Sequence, residues 1–148
     1  MPPAGVFEDI RKAEREFIGA KLALFVGEKL LVILRDEDRD IPWPGMWDIP
    51  GGGREEGESP ENAALRETFE EVGLRIEPED LIWKRAYTSS VGKPVFFFVA
   101  HLPAEAAKDV TFGDEGQRWE LWNVDEFLAH EKVVPYFKTR LEDYLRQR

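Results

Sequence analysis

The stretch that most constrains this chain is residues 52–74, because it states where a helix begins, which way it faces and where it ends. Ser59 is placed to cap the exposed N–H groups of a helix start. Pro60 follows in the first turn, where its missing donor costs nothing. Gly73 is a natural left-handed terminator. At about 100° per residue between these signals, Leu65, Phe69 and Val72 fall on one stripe and Glu67, Glu70 and Glu71 on the opposite side. The expectation is that the apolar stripe faces the core and the acidic side does not. Ala63 projects toward the acidic side and leaves room above it.

A charged outer face is ordinary on a helix, and a solvated surface is the plain reading. Such faces usually mix signs, however. Glu67 with Glu70, and Glu67 with Glu71, are like-charge pairs that each cost about 0.2–0.5 kcal/mol. A hard cation resolves the conflict, because Mg²⁺ binds carboxylate oxygens and shares its remaining positions between water and phosphate. Gly51-Gly52-Gly53 precedes the helix and removes three side chains where the backbone must turn or approach something closely. It lacks the spacing of a dinucleotide fold and the Gly-Lys-Ser/Thr ending of a P-loop.

Around this segment the remaining elements alternate. Apolar spacing at Val6, Ile10, Ala13 and Phe17 predicts an N-terminal helix over about 6–17. Residues 18–26 and 30–34 read as strands joined by a tight turn at Gly27-Glu28. Residues 35–45 read as a charged, proline-bearing loop that overhangs a site. Residues 81–88, 95–102 and 118–124 are rich in Trp, Tyr, Phe and Val and read as strands, with Phe96-Phe97-Phe98 in the core. Helices are expected over 125–129 and 135–146. Helices interspersed with antiparallel strands indicate an α/β sandwich with a mixed sheet. With 148 residues and no internal repeat, one domain spanning 1–148 is expected.

The segment from Gly52 resembles the box of the Nudix hydrolase family, G-x5-E-x7-R-E-U-x-E-E-x-G-U with U a bulky aliphatic residue. Gly52, Glu58, Arg66, Glu67, Glu70, Glu71, Gly73 and Leu74 fall in register, and Thr68 departs from it at one aliphatic position. Thr68 is expected at the edge of the buried stripe. The resemblance implies the Nudix α/β/α sandwich, with a mixed sheet between helices. It implies metal ligation by Glu67, Glu70 and Glu71 together with the carbonyl of Gly52, Mg²⁺ being the cofactor and Mn²⁺ a substitute. Arg66 would orient the carboxylates, Glu58 would hold the loop ahead of the helix, and Gly73 would end it. Glu115 enters by resemblance alone, as an acidic residue such enzymes often supply near a later strand, and Gly113-Asp114-Glu115-Gly116 also reads as a turn.

The implied reaction is metal-dependent hydrolysis of a diphosphate linkage, with Glu67, Glu71 and Glu115 as open alternatives for the general base. Arg35 and Arg54 are candidates for binding phosphate, and Trp43 or Trp47 for stacking on a base, although surface arginines and core tryptophans are commoner. His101 and His130 are read as structural. The leading substrate is a nucleoside triphosphate, including oxidised or non-standard forms, giving monophosphate and pyrophosphate. The alternatives are a nucleotide sugar, or a non-catalytic domain that senses a nucleotide. An isopentenyl diphosphate isomerase reading fails for want of a cysteine.

Composition narrows the partners. A formal charge of −10 disfavours nucleic acid polymers and anionic membranes, leaving a small-molecule nucleotide. The absence of cysteine suits a reducing compartment, and residues 1–17 carry no export-signal pattern, so a cytoplasmic location is expected. The oligomeric state is left open, a homodimer being one arrangement allowed.

Overall fold

A computed structural model describes residues 5–147. Residues 1–4, part of the segment read for an export signal, and residue 148 lie outside that description. Strands β1 (Gly19–Val26), β2 (Lys29–Leu34), β3 (Trp47–Asp48), β4 (Gly51–Gly53), β5 (Leu81–Thr88), β6 (Pro94–Leu102) and β7 (Arg118–Trp122) form one sheet. Helices α1 (Ile10–Glu16), α2 (Pro60–Val72), α3 (Val124–Ala129) and α4 (Pro135–Gln147) complete the chain, with short 3₁₀ turns at Pro78–Asp80 and Ala104–Asp109.

The sheet is mixed because β1 and β6, at its centre, run parallel with Leu22 opposite Phe98, while the other pairings are antiparallel. Successive side chains of a strand point to opposite faces. Leu22, Leu24, Phe96 and Phe98 therefore pack under α1 and α2, and Ala23, Phe25, Phe97 and Val99 pack under α3 and α4. Both faces being covered explains the near-continuous apolar run of these strands. Truncating a ring such as Phe98 to alanine should cost about 3–5 kcal/mol, a large share of a domain's stability.

Two expectations need correction. The N-terminal helix is Ile10–Glu16, not 6–17. Val6 instead bridges Tyr87, and Phe7 donates to the carbonyl of Ala86 over 2.9 Å, so this segment runs extended along β5. The buried side of α2 is also rotated from the expected stripe. Ala63, Ala64, Thr68 and Val72 are fully buried, whereas Phe69 is 43% exposed under the guanidinium of Arg75. Small residues on that side let α2 approach the sheet closely, which turns Glu67 and Glu71 toward the glycine strand rather than away from it. Thr68 sits within the buried side, and its hydroxyl donates to the Ala64 carbonyl over 2.7 Å, so the polar group costs little there.

Candidate active site

The helix that carries the carboxylates is anchored at both ends. The Ser59 hydroxyl accepts from the amide of Asn62 at its start. At its end Gly73 adopts a φ of 71°, where a larger residue would be strained, and donates to Phe69. The final carbonyls of α2 are then claimed by a distant segment: Thr111 donates to Val72 over 2.9 Å and Gly113 to Glu71 over 2.8 Å. This clamp brings Asp114 and Glu115 over the acidic side of α2, where they line a cavity of about 370 Å³ with Glu67, Glu70 and Glu71.

Arg66 organises this acidic side. Its guanidinium grips Glu58 with two bonds, of 2.7 and 3.0 Å, and reaches Glu67 and Glu70 at 2.9 Å each. A further bond of 2.8 Å to the Gly53 carbonyl ties helix to strand. The hydrogen bonds to Arg66 hold the Glu58 carboxyl below the usual carboxylate range, and Glu58 in turn accepts from the amide of Glu55.

The glycine strand lies against these carboxylates. Gly51 donates its amide to Glu71 over 2.7 Å. A Cβ on Gly52 would collide with the Glu67 carboxylate, so a side chain at this position would push that carboxylate out of place. Burial pushes the Glu71 carboxyl up to about 7, with Asp48 and Glu67 adding to the rise and Lys21 and the Gly51 amide opposing it. The cluster holds more negative charge than its own cations neutralise.

Beneath the strip, the Lys21 ammonium reaches Asp48 at 3.1 Å, and the carbonyls of Ile49 and Gly51 at 3.1 and 3.0 Å. Arg35 donates to Oδ2 of Asp48, which Lys21 also reaches, over 2.8 Å and to the Pro42 carbonyl over 2.9 Å, which pins the overhanging loop. Sequence reasoning missed Lys21, Asp48 and Asp114. Their roles follow from strand pairing and the loop clamp, which leave no local spacing signal.

These groups open onto a cleft of about 430 Å³ whose acidic wall includes Glu67, Glu71 and Glu115 and whose aromatic wall includes Trp43, Tyr136 and Phe137. Trp43 stands edge-on to Tyr136 at 5.7 Å and adopts a φ of 51°, a strained conformation for a bulky residue of the kind that clusters at working sites. Arg35 lines the cleft. Arg54 does not join it: its guanidinium donates to the carbonyls of Glu58 and Arg15 and lies 4.2 Å over the Phe17 ring. Trp47 is likewise withdrawn, buried against Trp122. His101 stacks on Phe25 and His130 lies against Trp122, both away from the carboxylates.

The NUDIX domain family matches residues 18–142. The chain belongs to the Nudix family. Among relatives of this Nudix chain, an octanoyltransferase of Myxococcus xanthus is 34% identical over 71% of the chain but only 29% of that protein. An RNA pyrophosphohydrolase of Actinobacillus succinogenes is 31% identical over 66% of the chain and 45% of that protein. The chain thus spans less than half the length of either. A MutT protein from Methanosarcina mazei Go1 shares the Nudix fold with a TM-score of 0.71 at 24% identity, over 88% of this chain and 93% of that one.

Nudix enzymes use divalent metal ions such as Mg²⁺ or Mn²⁺. The box residues of this chain fit such an ion. They offer oxygen donors only, as a hard cation requires, and an excess of negative charge that a cation would relieve. Among the described residues no three acidic or histidine side chains are already drawn into a ligating group. The reason is visible in Arg66, which holds Glu67 and Glu70, and in the Gly51 amide, which holds Glu71. No helix among the described residues is long and apolar enough to cross a membrane.

Proposed function

We propose that this chain hydrolyses a diphosphate linkage in a nucleoside-diphosphate-linked substrate, with a nucleoside triphosphate as the leading substrate and monophosphate and pyrophosphate as products. The observation that carries this reading is the two-sided cleft. Clustered carboxylates on one wall suit metal-bound phosphate, and the rings of Trp43, Tyr136 and Phe137 on the other suit a nucleoside.

Glu67, Glu70 and Glu71, with the Gly52 carbonyl, are the residues we assign to hold Mg²⁺. When bound, the ion would lower the pKa of an attacking water and stabilise charge on the departing phosphate. Arg66 holds Glu67 and Glu70 on one side of the helix, close to where they would have to turn to hold the ion. Lys21 and Arg35, both held by Asp48, supply positive charge at the opposite side of the strip. Glu115 is exposed and, among the described residues, makes no hydrogen bond or ion pair. Its free oxygens are the ones we assign to accept the proton from water.

The test is a Mg²⁺-dependent screen of nucleoside triphosphates, nucleotide sugars and 5′-triphosphorylated RNA, with products identified by mass and Glu71→Gln as control. Release of a nucleoside monophosphate by wild type alone supports the reading. Metal binding without turnover of any substrate would instead favour a sensing domain.

A further inference from the structure

Beyond the glycine strip the cleft runs into a second, mostly apolar cavity of about 250 Å³, bounded by Ile18, Ser89, Val95, Tyr136, Phe137 and Arg140. Lys21, Tyr136, Phe137, Gly52 and Gly53 line both cavities, so one ligand can extend from the carboxylates into this space. Arg140 is unusual here. It is 8% exposed, and among the described residues it has neither ion pair nor hydrogen bond. Its contacts are the ring faces of Tyr87 at 4.9 Å and Tyr136 at 5.4 Å. Asp143, one turn along α4, is already claimed by Tyr87 and Arg146 at 2.7 Å each.

A buried cation without a counter-charge is costly to maintain, and burial holds the guanidinium below its usual range. The Arg140 nitrogens are not sealed off but border the cavity, where a ligand can complete their hydrogen bonds. Apart from Ser89, Ser90 and Lys21, whose ammonium is already taken by Asp48 and the carbonyls of Ile49 and Gly51, the walls are apolar and aromatic, which suits a flat ring system better than a phosphate, whose oxygens demand several donors.

We propose that this cavity is a base-recognition subsite in which Arg140 donates, through two N–H groups of its fork, to a purine bearing two adjacent acceptors, as guanine does with O6 and N7. Adenine offers only N7 and presents an amino donor beside it. A base seated here sets its sugar and phosphates over Gly52 and Gly53, within reach of Glu67. That direction rests on the diphosphate-hydrolase reading, whereas the recognition by Arg140 does not.

The experiment is calorimetric titration of the metal-free full chain with GMP, AMP and inorganic phosphate, for wild type, Arg140→Met and Arg140→Lys. Wild type should bind GMP roughly 10- to 100-fold more tightly than AMP. Arg140→Met should bring the two within about threefold, and Arg140→Lys, which keeps the charge but loses the fork, should stay close to Arg140→Met. Equal affinity of wild type for GMP and AMP overturns the proposal, as does phosphate binding as tightly as GMP. Should Arg140→Met fail to fold, the wild-type ratio and the lysine variant still decide. Selective GMP binding in a protein that hydrolyses no nucleotide would uphold the subsite and sink the hydrolase reading. Turnover of GTP and ATP with matching affinity for GMP and AMP would do the reverse.

Discussion

The amide of Gly51 donates to Oε1 of Glu71 across 2.7 Å, so the carboxylate that burial pushes up to about 7 is fastened to the glycine strand. The folded pKa lies above the ordinary value of 4.5. The protonated form therefore stabilises the metal-free fold at low pH, and that contribution is lost as pH rises toward and past 7. Glu71→Gln removes the loss. In chelator-treated protein the variant should match wild type near pH 4.5 and exceed it at pH 8 by on the order of 1–3 kcal/mol. Denaturant melts at both pH values check this, and a variant weaker than wild type at pH 8 would show that the bond to Gly51 outweighs the charge repulsion. Addition of Mg²⁺ should raise the Tm of wild type but not of Glu71→Gln, and more strongly at pH 8 than at pH 6 because a proton competes for the same oxygens.

Arg66 links Glu58, Glu67, Glu70 and the Gly53 carbonyl. Arg66→Ala should leave these carboxylates repelling one another, costing about 1–3 kcal/mol of stability and at least roughly a hundredfold in kcat. Arg66→Lys restores one charge without the fork, so stability should recover more than turnover. Equal recovery of both would mean that charge alone, and not geometry, is what Arg66 supplies.

Much of this arrangement is local and therefore legible in the chain. The Ser59 cap, the Gly73 stop and the spacing of Arg66, Glu67, Glu70 and Glu71 are set within a turn or two of α2, and the alternation in β1 and β6 is set residue by residue. What escaped detection depends on partners far along the chain. The stripe of Leu65, Phe69 and Val72 is a valid apolar face, but Ala63 and Ala64 let the helix seat more closely, and packing chose the tighter fit. Lys21 meets Asp48 only because β1 pairs with β4. Glu115 reaches α2 only because Thr111 and Gly113 cap its last carbonyls. Arg140 carries no motif, and its meaning comes from the counter-charge it lacks.

A methyl group at Gly52 would strike the Glu67 carboxylate, whose rotamer Arg66 already fixes. Gly52→Ala should fold, since the collision is with a side chain that can swing away. It should nonetheless lose the Mg²⁺-dependent rise in Tm and at least roughly a hundredfold in kcat/KM, because a misplaced ligand of about 1 Å is enough to disrupt the site. Full activity in this variant would remove Glu67 from the metal site.

Glu115 and Glu71 face one cleft but are held differently, and this separates a proton acceptor from a metal ligand. Glu71 is tied to Gly51 within the cluster, while Glu115 lies on a loop held only through its neighbours. Glu115→Gln should therefore keep the wild-type rise in Tm with Mg²⁺ and a near-normal KM, yet lower kcat by roughly 10²–10⁴-fold, the range for loss of general base catalysis. Glu71→Gln should lose both the Tm response and turnover. The pH profile of kcat adds a second criterion. Its acidic limb in wild type should reflect the group that accepts the proton, and Glu115→Gln should flatten that limb across the remaining activity. A Glu115→Gln enzyme with unchanged kcat would return the base to Glu67 or Glu71 and leave Glu115 as a wall of the cleft.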